Sequence, residues 1–113
     1  MTTISDWDWQ AVSRGFFKVA QEAYRYASDC RANIAADPGN QKIHDDHMAK
    51  FAVYSHLYDK SFLSRREDLV AELRRMIGDP VTQRPTGVAD MEFFEKSRVA
   101  WIRKLIGDLE KQG

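Results

Sequence analysis

The sequence predicts an all-α fold, a small four-helix bundle-like domain built on a long N-terminal helical hairpin. Three observations predict it. Apolar residues recur with helical rather than alternating spacing along nearly the whole chain, so no strand pattern competes. Prolines are confined to positions 38, 80 and 85, which leaves long uninterrupted segments. Capping residues stand where those segments begin.

The first helix is expected over 6–36. Ser5 followed by Asp8 resembles a capping box with aspartate in place of glutamate, and no proline appears before Pro38. Trp9, Val12, Phe16, Val19, Ala20, Ala23, Ala27, Cys30 and Ile34 gather on one side, with Tyr26. Gln10, Arg14, Lys18, Gln21, Glu22, Arg25, Ser28 and Asp29 hold the other. "DPGN" at 37–40 then supplies a break and a new start, and the second helix is expected over 41–61. This turn resembles that of tetratricopeptide repeats, but the first helix is about twice theirs in length and no period near 34 recurs.

Ser64, with Glu67 reaching back, opens a third helix over 65–77 that Gly78 ends. A loop over 78–89 follows, rich in proline and glycine and read as a flexible connector. Asp90 caps the fourth helix, expected over 91–111.

The 113 residues fit one domain able to bury one core. Seventeen basic and seventeen acidic residues balance, which lowers the weight of nucleic acid and of anionic membrane as partners. The single cysteine forms no internal disulfide, and Asp6 and Asp8 stand where a signal peptide needs cationic and then apolar residues. The expectation is a cytoplasmic protein without a membrane span.

The most chemically suggestive stretch is "KIHDDHMAKF" at 42–51. On a helical wheel His44 and His47 fall within the apolar arc formed by Ile43, Met48, Phe51, Tyr54, Leu57 and Tyr58. Asp45 and Asp46 fall outside it, and His56 lies on the far side. A hairpin folded about Pro38 and Gly39 sets Cys30 beside His47 and Asn33 beside His44. Thiolate and two imidazoles suit Zn²⁺ or another transition metal, though no fourth ligand is evident. The favoured reading is a pair of core histidines hydrogen-bonded to Tyr24, Tyr26 or Asn33, with no cofactor, and with Asp45 and Asp46 turned to solvent.

Candidates for contact with a partner protein come from residues that break the pattern. Arg98 falls in the middle of the apolar arc of the fourth helix and must snorkel, pair with a carboxylate or face a partner. Trp7 and Phe93 are large aromatics off the main stripes, and Arg84 lies in the long loop. Arg65, Arg66, Arg74 and Arg75, with Arg84, form a basic cluster of the kind that contacts nucleic acid. Glu67, Asp68, Glu72 and Asp79 are interleaved with it and cancel much of its field. No phosphate-binding loop, nucleophile elbow, H-E-x-x-H or inward E-x-x-H pair is present. The reading is a non-enzymatic protein that acts by binding another protein, as an adaptor, inhibitor or assembly factor, with a homodimer also expected; metal or nucleic-acid binding is the alternative.

Overall fold

Four helices follow one another: α1 (Trp9–Ala32), α2 (Asn40–Asp59), α3 (Arg66–Ile77) and α4 (Met91–Lys111). The computed structural model describes residues 9–59 and 65–111. Among these there is no strand, and the chain is a small helical bundle. Expected features at Ser5, Trp7, Asp8 and Ser64 lie outside the described residues.

α1 stops four residues earlier than expected, and the reason is local. Asn33 turns its side chain back on the helix, Nδ2 donating to Asp29 O at 2.8 Å, while its backbone N–H donates to Cys30 O at 3.0 Å. Side chains that bond their own backbone offer the chain an alternative to the helical ladder. Asp37 then shapes the turn, its Oδ1 accepting from the Gly39 N–H at 3.0 Å. Asn40 Nδ2 ties the start of α2 back to Asn33 O at 3.2 Å.

Because residues 33–39 form a succession of hydrogen-bonded turns rather than one tight turn, the hairpin register differs from the expected one. Opposite His47 stands Tyr26, one turn before Cys30, with ring centroids 4.4 Å apart. Tyr24 meets Phe51 at 5.1 Å and Phe17 meets Tyr58 at 5.0 Å.

α2 is the central element, with α1 along one side and α4 along another, and α3 packs on α4. Two apolar clusters result. The larger joins Phe16 of α1, Val53 and Leu57 of α2, Leu69 and Leu73 of α3, and Ile102 and Leu109 of α4. The smaller holds Ala27, Met48, Ala49, Phe94 and the loop residue Val88.

The caps of the later helices are simple. Asp90 Oδ1 accepts from the Phe93 N–H at 3.1 Å, as an N-cap should. α3 begins after Arg65 in extended conformation, with no side-chain cap. Gly78 ends α3 with φ −84, donating its N–H to Arg75 O, so it is not the left-handed glycine that commonly closes a helix.

Candidate functional site

The most concentrated polar chemistry lies where the loop between α3 and α4 crosses the first half of α2. His44 and Asp45 are 2% and 1% exposed, the most buried polar side chains described. Asp45, expected in solvent, is the centre of the arrangement. Its Oδ1 accepts from His44 Nδ1 at 2.9 Å and from Gln41 Nε2 at 2.8 Å. Its Oδ2 accepts from the backbone N–H groups of Ala89 and Asp90 at 3.2 and 3.3 Å. These donors lead into α4, so the carboxylate sits where the helix dipole favours a negative charge.

The loop is shaped to receive this pair. Gly87 has φ +84, and a Cβ there would stand 3.0 Å from His44 Cε1 and 3.1 Å from Nε2. Gly87 O accepts from Gln41 Nε2 at 3.0 Å. Arg84 Nη1 donates to Val88 O and Ala89 O at 3.1 and 2.9 Å, and the Val81 N–H reaches Glu95 Oε1 at 3.2 Å. The segment expected as a flexible connector is therefore a strap tied at several points, with Val88 as its apolar plug.

The metal candidates do not converge. His44 is engaged with Asp45 and Gly87; His47 stacks on Tyr26 and donates Nδ1–H to Ile43 O at 2.9 Å. Cys30 is buried, and desolvation, helped by the Asp29 carboxylate, pushes its thiol pKa up. Among the described residues no three His, Cys, Asp or Glu side chains are grouped as a metal site.

Arg98, placed among the partner-contacting residues by the sequence, turns inward and is 3% exposed. Its Nε donates to Glu95 Oε1 at 2.9 Å, and one Nη donates to Met76 O and Asp79 O at 3.0 and 3.2 Å. It closes the C-terminal end of α3 and is not presented to a partner. Arg84 is likewise committed to its own loop. Phe93 remains partly exposed, with Lys42 Nζ 5.1 Å from its ring centre.

Three arginines at and along α3, Arg65, Arg74 and Arg75, are matched by carboxylates. Arg65 lies near Glu67 and Asp68, and Arg74 meets Glu110 at 2.7 Å. Arg75 pairs with Glu72 at 2.7 Å and Asp79 at 3.2 Å; Arg66 is half-buried. Glu72 also accepts from His56 Nε2 at 2.6 Å. The Arg75 hydrogen bond, with that of His56, holds the Glu72 carboxyl down at about 2 against a burial effect that would raise it. Among the described residues, Arg65, Arg74 and Arg75 thus each stand beside a carboxylate, which offsets their positive charge.

A third feature went unread in the sequence. Both flanks of the hairpin carry exposed large apolar side chains: Tyr26 is 54% exposed and Tyr24 51%, with the aromatic Phe17 and Tyr58 and the aliphatic Ile43 also open. On α4, by contrast, Trp101 is held between Lys50 and Lys104 and donates Nε1–H to Asp46 Oδ1 at 3.1 Å. Asp46 too is thus an acceptor within the fold.

Fold and site together define a small all-α protein with a loop-tied end and an aromatic hairpin surface. No family model matches the chain, and neither the curated proteins nor the solved structures contain a significant match. Among the described residues no helix is long and apolar enough to cross a membrane.

Proposed function

We propose that this chain works by binding another protein, as an adaptor, inhibitor or assembly factor, through the patch at the loop-tied end of the hairpin. What supports the reading is the exposed Tyr26, stacked on His47, beside Ile43 one turn away along α2. Phe93, under Lys42, borders the same end. Large aromatic side chains bring much contact area at little entropic cost, which is why they anchor interfaces. Here the Tyr26 ring is already oriented by His47, so little freedom remains to be lost on binding.

Affinity capture from the native cell with the wild type and with a Tyr26→Ala, Ile43→Asp variant tests the proposal. The expected result is a protein retained by the wild type and lost by the variant, with unchanged helical circular dichroism. Identical recovery by both overturns it.

A further inference from the structure

α1 carries two adjacent stripes that stay exposed, the first of them edged by Phe51 and Tyr58 of α2. Phe17, Gln21, Tyr24 and Ser28 follow at steps of four, three and four residues, and Lys18, Glu22, Arg25 and Asp29 follow one position later; all eight are exposed. At this spacing each set runs along one line of the helix. A shallow groove of about 510 Å³ lies along them, lined by Gln21, Tyr24, Arg25, Ser28, Asp29 and Phe51.

The charges in the second stripe alternate in sign: positive, negative, positive, negative. Read backwards the order is reversed. Two α1 helices laid antiparallel would therefore bring Lys18 against Asp29, Glu22 against Arg25, and each reciprocal pair likewise. Laid parallel about a two-fold axis, the two charged stripes would fall on opposite sides of the seam and form no such pairs. Among the described residues none of the four is ion-paired within its own chain, although their i, i+3 and i, i+4 spacings would permit it.

We infer that this face of α1 binds a second copy of the same chain, antiparallel, with Lys18–Asp29 and Glu22–Arg25 pairs bordering a seam made by Phe17, Gln21, Tyr24 and Ser28. The two-fold operation joins identical patches, which is what a self-complementary charge order requires. Tyr24 of each copy enters the groove beside Gln21 of the other. Phe51 and Tyr58, which touch Tyr24 and Phe17, widen the seam beyond a single helix. Tyr26 lies about 200° round the helix from Tyr24, so the heterologous patch stays open in the dimer. The face is narrow and its ion pairs exposed, so the association is weak and falls with added salt.

Sedimentation velocity on the full chain at low salt, over concentrations up to about 500 μM, reads the outcome. The wild type should shift from 13.1 kDa toward twice that mass. Glu22→Arg places positive charge opposite Arg25, and Arg25→Glu places negative charge opposite Glu22, so each alone should weaken dimerisation at least about tenfold. An equimolar mixture of the two single variants restores both pairs across the seam and should sediment as a dimer. Circular dichroism keeps unfolding from being mistaken for dissociation. A wild type that stays monomeric throughout overturns the inference, as does a single variant that dimerises like the wild type or a mixture that remains monomeric.

Discussion

The two ends of the bundle are closed by different means. At one end α3 lies over α4, and aliphatic side chains such as Leu57, Leu69, Leu73 and Ile102 meet with no exposed surface. α3 is only 12 residues long, and over the first half of α2 its place is taken by the loop. A helix arrives with its backbone groups already paired; a loop does not, and each unpaired N–H carried inward needs an acceptor. Asp45 supplies two at Ala89 and Asp90, and Gln41 and Arg84 serve the loop carbonyls. A buried carboxylate is the consequence of covering half a core with irregular chain.

The largest test of this contrast is Asp45→Ala. It leaves the buried His44 and the part-buried N–H groups of Ala89 and Asp90 without their acceptor and should cost about 3–5 kcal/mol, as loss of one member of a buried polar pair does. Urea unfolding measures it. Leu73→Ala at the aliphatic end should cost a similar amount, about 2–5 kcal/mol, by leaving a cavity. Native-state hydrogen exchange separates the two cases: Asp45→Asn should speed exchange at Ala89 and Asp90 before α3 is affected. Equal acceleration at both ends would dissolve the distinction between them.

Next in size is Arg98→Met, which keeps the apolar stem but strips donors from Met76 O, Asp79 O and Glu95; a loss of about 2–3 kcal/mol in denaturant midpoints is expected. Gly87→Ala should follow at about 1–2 kcal/mol, since its left-handed φ strains any Cβ and His44 blocks the space. A thermal melt unchanged by that substitution would show that the strap is not held against His44. The smallest effect belongs to Glu72, at the interface of α2 and α3. Its pKa is depressed from 4.5 to about 2, so its stabilising contribution is complete well above pH 4.5 and fades as pH falls through about 2. The stability difference between the wild type and Glu72→Gln should accordingly shrink between pH 5 and pH 2.

Elements with their own local signal were legible. Asp90 caps α4 as its side-chain chemistry requires, and α2, α3 and α4 begin, and α3 ends, within one residue of the expected positions. A single apolar arc on α2 turns Asp45 to solvent, whereas that helix is covered on two sides. A second stripe was present in the letters, Asp45, Ala49, Val53 and His56 at steps of four, four and three, and it marks the face that meets the loop and α3. His47 lost its expected neighbour because Asn33 ends α1 early, a competition between side chain and ladder that periodicity does not register. Arg98 does pair with a carboxylate, Glu95, three residues away on α4, but its carbonyl acceptors at Met76 and Asp79 lie about twenty residues away, at the end of α3 and just beyond it.

What the sequence determined by itself is the set of helices, since period, caps and prolines act within a few residues of one another. The tertiary structure decided the register of the hairpin, the burial of Asp45 and the inward turn of Arg98. The register follows from how the connection over 33–39 folds, and the other two depend on which distant backbone groups arrive unpaired, which is known only once the loop has folded back across α2.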